Sequence, residues 1–110
     1  MNYPDIIVST REGLQFLKES DIIACKADGN YSVMFLKNGA QHTVSKKLKD
    51  IEKELTPDHF FRIHHSHIVN LQHLESMKNG EELKVKMADG RELEVSKRKK
   101  TDFMALFKKL

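Results

Sequence analysis

Apolar residues recur along this 110-residue chain in short runs separated by turn-forming residues. Runs of that length, rich in β-branched and aromatic side chains, favour strands over helices. Ile6-Ile7-Val8 and Leu14-Gln15-Phe16-Leu17 read as two strands, with Arg11-Glu12-Gly13 turning between them. Asp21 to Ala27, β-branched at Ile22 and Ile23, reads as a third strand. Asp28-Gly29-Asn30 has turn composition, and Tyr31 to Leu36 follows as a strand on which Tyr31 and Phe35 fit core positions. Asn38-Gly39 is a strong hairpin signal, so Gln41-His42-Thr43-Val44 is the returning strand. A two-residue turn there places Val33 opposite Val44 and Phe35 opposite His42.

The period then changes. Leu48, Ile51 and Leu55 recur at helical spacing, which predicts a short helix near 46–55 with Ser45 as its cap and one narrow apolar stripe against the core. Thr56-Pro57-Asp58 ends it. Beyond Leu74-Glu75-Ser76-Met77, Asn79-Gly80 opens a hairpin. Leu83, Val85 and Met87 share one face of a strand, and Leu93 and Val95 share a face of the next. A two-residue turn at Asp89-Gly90 sets Met87 against Glu92 and buries charge. A three-residue loop, Ala88-Asp89-Gly90, instead sets Val85 against Leu93 and Leu83 against Val95, with Lys86–Glu92 and Lys84–Glu94 on the outer face. Phe103, Leu106, Phe107 and Leu110 sit at helical spacing, predicting a short C-terminal helix with Lys108 and Lys109 near its negative end.

The stretch Phe60 to Asn70 departs from this alternation. Phe60, Phe61 and Ile63 open it, Ile68 and Val69 close it, and between them stand Arg62, His64, His65, Ser66 and His67, all hydrogen-bond donors. The layout predicts two buried strand ends carrying a short, exposed, donor-rich connector suited to a negatively charged partner. A second cationic feature, Ser96-Lys97-Arg98-Lys99-Lys100, leaves the preceding strand directly. Positive charge is unfavourable at a helix start, so a phosphate backbone is a reason for it to be there.

Composition narrows the choices. Apolar content of 39% and charged content of 32% fit one charge-rich globular domain. A net charge of +3, a pI near 9.0 and six histidines favour a polyanionic partner. Cys25 is the single cysteine, which excludes an intrachain disulfide and a cysteine-based metal site; it reads as a packed residue in a reducing, cytoplasmic setting. No apolar run reaches membrane-spanning length, and Met1 to Ser20 lacks the pattern of a signal peptide. His64, His65 and His67 lack an acidic or cysteine companion to complete a metal set, and on an extended chain His65 and His67 share a face while His64 points away. Ser66 beside His65 makes no catalytic triad, and Asp58 has no partner carboxylate. Asn70, at a strand end, reads as structural. No catalysis, metal or cofactor is expected.

Phe60-Phe61-Arg62-Ile63-His64-His65-Ser66-His67-Ile68-Val69-Asn70-Leu71 resembles the signature of LytTR-type DNA-binding domains. Gly29-Asn30-Tyr31, the Leu48 to Leu55 helix, and Asp89-Gly90 leading into Val95-Ser96-Lys97-Arg98 resemble the family's other landmarks, in order, from about Asp21 to the C-terminus. The resemblance implies a mainly β fold: small antiparallel sheets of short strands and hairpins, one short helix near 46–55 and a short C-terminal helix. It places a DNA-binding domain over 21–110, after an N-terminal extension or leading strands over 1–20. It further implies a bacterial transcription regulator of the response-regulator, two-component type, whose loops read successive major grooves of double-stranded DNA.

Carried over by position, Asn30, His65 and Lys97 are the expected base contacts, and Arg62, His64, Ser66, Arg98 and Lys99 the expected backbone contacts. Arginine is common in the family at the place of His65, an aromatic at that of His67, and arginine at that of Lys97; the lysine forfeits bidentate geometry, so discrimination there is softer. A second copy on repeated half-sites, and a receiver or sensor domain outside this chain, are further partners that the family suggests. No receiver fits in 110 residues, so the chain is either a fragment or a stand-alone regulator. The competing expectation is a protein-interaction module that applies the same basic and histidine patch to an acidic partner.

Overall fold

The computed structural model describes residues 3–110; the first two residues of the leading segment lie outside them. The chain forms ten strands and two short helices: β1 (Ile6–Thr10), β2 (Gly13–Leu17), β3 (Ile22–Asp28), β4 (Tyr31–Leu36), β5 (Gln41–Val44), α1 (Leu48–Glu54), β6 (Phe60–His64), β7 (His67–Asn70), β8 (Leu74–Asn79), β9 (Leu83–Met87), β10 (Glu92–Val95) and α2 (Lys100–Met104). They make three antiparallel sheets, ordered β1-β2, β10-β9-β8 and β5-β4-β3-β7-β6. This is the mainly β architecture expected. Among the described residues no helix is long and apolar enough to cross a membrane.

The five-stranded sheet is the middle layer. On one face Ile22, Cys25, Met34, Leu36, Val44, Phe60 and Ile68 pack against Leu48, Ile51 and Leu55 of α1 and Val8 of β1. On the other, Ile23, Ala24, Ile63 and Val69 pack against Leu83, Val85, Met87 and Val95 of the three-stranded sheet and Phe103 of α2. Cover on both faces explains why Ile22 to Cys25 is a continuous apolar run and not an alternating one. A register shift between Ile22 and Ala24 accompanies it. Cys25 is fully buried, and burial pushes its thiol up to about 12, as a packed and unreactive residue requires.

The Ala88-Asp89-Gly90 loop is as the pairing rule demands: Val85 faces Leu93, Leu83 faces Val95, Lys86 faces Glu92, and Gly90 holds φ +92°. The Asn38-Gly39 hairpin departs from expectation by one residue. Ser32 pairs with Val44, Val33 with Thr43, Met34 with His42 and Phe35 with Gln41. Leu36 N–H donates to the Ala40 carbonyl, so the loop is Lys37-Asn38-Gly39, with Gly39 at φ +86°. The reason is burial. Ser32, Met34 and Leu36 are the inward residues of β4, and only this register brings Val44 onto their face.

Three further expectations fail. Ser45 does not cap α1; Lys47 occupies that position without a side-chain bond, while Ser45 N–H donates to the Ser9 carbonyl and ties β1 to the chain after β5. The C-terminal helix ends at Met104, so Leu106, Phe107 and Leu110 are exposed and Lys108 and Lys109 lie beyond any helix; Phe103 alone of that set is buried. Tyr31 is likewise exposed, because the turn before it leaves the sheet, and Phe35 is half-buried under the Arg91 guanidinium, 3.6 Å from its ring centre. Asn70 is structural as expected: wholly buried, it donates to the carbonyls of Glu19 (3.3 Å) and Ile22 (2.9 Å) and accepts from Gln72 N–H (2.9 Å).

Candidate functional site

The Phe60–Asn70 stretch is a hairpin with Phe60 opposite Asn70, Phe61 opposite Val69, Arg62 opposite Ile68 and His64 opposite His67. Strand pairing therefore continues almost to the tip. The connector shrinks to His65-Ser66, of which His65 is the exposed residue, and Arg62, His64 and His67 belong to the strands. The chain reversal also overturns the expectation that His64 points away from its neighbours. Its ring lies 4.3 Å from that of His65 and 5.4 Å from that of His67, centre to centre. Among the described residues no group of three or more His, Cys, Asp or Glu side chains is arranged to hold a metal ion.

The three imidazoles are not equivalent. Ser66 N–H donates to His64 Nδ1 at 3.1 Å, which fixes the His64 proton on Nε2. His67 has a buried Nδ1 without a hydrogen-bond partner. Burial first, and then electrostatic repulsion of a protonated ring by the neighbouring His64, Lys26 and His65, press its pKa down to about 4, so it is neutral near pH 7. His65, at the tip, is exposed.

Sheet order brings the other two candidate segments to this end. β3 lies beside β7 with Lys26 opposite His67, and Ala27 N–H donates to the Ser66 carbonyl at 2.9 Å. The turn holding Asn30 and the turn holding His65 thus leave the same edge of the middle layer. On the far side of β6, Ser96 N–H donates to the Ile63 carbonyl at 2.8 Å, so Lys97 starts its 3-10 turn (Lys97–Lys99) beside the same hairpin. Asn30, His65, Lys97 and Arg98 are exposed; His64, Ser66 and Lys99 are half-buried, with the Lys99 ammonium 5.9 Å from the Phe61 ring centre.

Arg62 is placed differently from the rest. Its side chain retains only 20% exposure. Its guanidinium ion-pairs with Glu52 of α1 at 3.1 Å and donates to the carbonyls of His64 (3.3 Å) and His65.

Two cationic features of this end escape sequence reasoning. Lys26 is exposed and stands across from His67, which only the β3–β7 pairing reveals. Ser32 Oγ donates to the Lys46 carbonyl at 2.8 Å, which draws Lys46 and Lys47 toward the Asn30-Tyr31 turn. In sequence these lysines are indistinguishable from ordinary solubilising charge.

The family model for the LytTr DNA-binding domain matches residues 12–108. A curated relative, the CO-responsive transcriptional regulator RcoM of Rhodospirillum rubrum, is 34% identical over 71 residues, or 64% of this chain. The matched part is 29% of that protein's length, so this chain spans under a third of its relative. Among solved structures, a LytTr DNA-binding domain from Bacillus cereus superposes with a TM-score of 0.80, covering 94% of this chain and 95% of that one. At 22% identity that likeness speaks for the fold alone.

Proposed function

The chain belongs to the LytTR family of DNA-binding domains, and from that premise we propose that it is the sequence-reading part of a bacterial transcription regulator of the response-regulator type. Three backbone bends deliver its contacts to successive major grooves of one duplex. Asn30, His65 and Lys97 address base edges, since amide, imidazole and ammonium groups match the acceptors and donors displayed there. His64, Ser66, Arg98 and Lys99 form the cationic and hydroxyl surround that meets the phosphates, and Arg62 stands behind the His65 turn.

One observation carries this reading. The Asn30 and His65 turns leave adjacent strands at one end of the middle sheet, and Lys97 begins beside the same hairpin. The side chains of these three residues enter no hydrogen bond or ion pair with other described residues, so their donors are available. Catalysis has no place here, because the family is defined by DNA binding and not by a reaction.

Selection of binding sites from random duplexes tests the proposal and supplies the preferred sequence. The expected result is one enriched motif whose affinity falls with salt at a log–log slope of about −0.9 per neutralised phosphate. Repeated half-sites among the winners would report a second copy. No enrichment over random duplex, together with a flat salt series, overturns the proposal and returns the patch to an acidic protein partner.

A further inference from the structure

The His65-Ser66 turn is unusual in its backbone. A two-residue hairpin turn matches the twist of its strands when one or both central residues take positive φ, the geometry Asn-Gly and Gly-X pairs supply. Here the paired residues are His64 and His67, and no non-glycine residue among those described has positive φ. The turn therefore lacks the twist-matched geometry. The mismatch coincides with a register shift between Arg62 and His64. Such a turn has to be held by contacts outside its own backbone twist, and on the Ser66 side it is: Ala27 N–H donates to the Ser66 carbonyl at 2.9 Å and Ser66 N–H to His64 Nδ1 at 3.1 Å.

Arg62 supplies what the turn lacks. Its Nε donates to the His64 carbonyl at 3.3 Å and a terminal nitrogen donates to the His65 carbonyl, so one planar group spans both peptide oxygens on the approach to the tip. The other terminal nitrogen meets Glu52 Oε1 at 3.1 Å. Glu52 stands on α1, whose Leu48 and Ile51 are anchored in the core, so the clamp is tied to a fixed element. With 20% of the side chain exposed, and Nε and both terminal nitrogens each engaged with a protein oxygen, the guanidinium is poorly disposed to grip a phosphate as well.

We infer that Arg62, held by Glu52, is a positioning residue that fixes the His65-Ser66 turn in its base-reading conformation, and is not itself a phosphate contact. The inference rests on the DNA-reading proposal above for its consequence, but the clamp is a property of the free protein. Lysine cannot replace arginine in it. An ammonium on a flexible stem keeps the charge and loses the planar fork that reaches two carbonyls and a carboxylate together.

Arg62→Lys is the deciding variant, measured on the duplex selected from random sequences and on random duplex. The expected result is about a tenfold loss on the selected duplex, little change on the random one, and an unaltered salt slope. Glu52→Gln, on the exposed side of α1, should give a smaller loss in the same pattern. In the free protein, backbone amide resonances of residues 64–66 should shift and exchange faster in both variants, while melting temperatures stay close to that of the parent.

The inference is overturned if Arg62→Lys binds as the parent does while Arg62→Ala loses about one unit of salt slope, because charge alone would then be the requirement. It is equally overturned if Glu52→Gln strengthens binding to every duplex, or if the free-protein resonances of residues 64–66 do not move. Failure of the parent chain to bind any duplex would sink the DNA proposal instead, and the free-protein arm would still decide the clamp.

Discussion

At one end of the middle sheet, Asn70 is wholly buried and its amide ties three backbone groups together, while the Glu19 carboxylate accepts from Thr56 N–H (2.9 Å) and Thr56 Oγ (2.7 Å), and His73 Nε2 lies 2.7 Å from the Ser20 carbonyl. At the other end, Asn30 and His65 repeat two of these residue types and Lys97 joins them, all three exposed, with their side-chain polar groups free of partners among the described residues. The two ends are assembled from similar chemistry put to opposite uses. One closes the fold, because an unpaired buried polar group costs free energy. The other stays open to solvent, where donors cost nothing to leave hydrated and can be transferred to a ligand. Arg62 is the exception at the open end, since its donors are engaged with protein oxygens, as the polar groups of the closed end are.

The sharpest way to break this contrast is to exchange its asparagines. Asn70→Ala should cost about 2–3 kcal/mol in urea unfolding, since it strands buried partners. Asn30→Ala should leave stability within about 0.5 kcal/mol. Equal losses would mean the ends are not different in kind. His65→Ala and Lys97→Ala come next: each should lose about 1–3 kcal/mol on the selected duplex, with relaxed preference at one position and an unchanged melting curve. A uniform loss on selected and random duplex would move that residue from base to backbone.

Gly39→Ala probes the closed end from the other direction. Its φ of +86° in the Lys37-Asn38-Gly39 loop should make alanine cost about 1 kcal/mol of stability, while duplex affinity is spared. Arg98→Ala should be small but diagnostic, making the log–log salt slope shallower by about 0.9 on every duplex. Least visible is a pH effect at the open end. The folded state holds His67 near 4 against about 6.5 for an ordinary histidine, so the unfolded chain binds more protons between those values. Its contribution is fully present above pH 6.5 and is lost as pH falls toward about 4. Comparing urea midpoints of the parent and His67→Gln across that window isolates it from the carboxylates; parallel curves would refute it.

Much of this could be read from the chain because local rules and burial agreed. The Ala88-Asp89-Gly90 register followed from requiring Leu83, Val85, Leu93 and Val95 to share a face. The same rule applied to β4 would have corrected the Asn38-Gly39 loop. It was hidden there because the inward residues of β4 include Ser32, a polar residue that is buried only because its hydroxyl bonds to the Lys46 carbonyl. Phe103, Leu106, Phe107 and Leu110 misled for a related reason: helical spacing marks a face that could be buried, but the protein supplies a partner surface for Phe103 alone.

The family signature, the strand count and the candidate contacts are encoded in linear order, because turn residues, alternation and the Phe60–Asn70 motif act over a few residues at a time. Which of those contacts share an end of the sheet, that His64 stacks toward His65 and His67, and that Arg62 reaches Glu52 depend on strand order and on a chain reversal. Those are settled only when distant segments bury one another, since no local preference fixes which strands become neighbours.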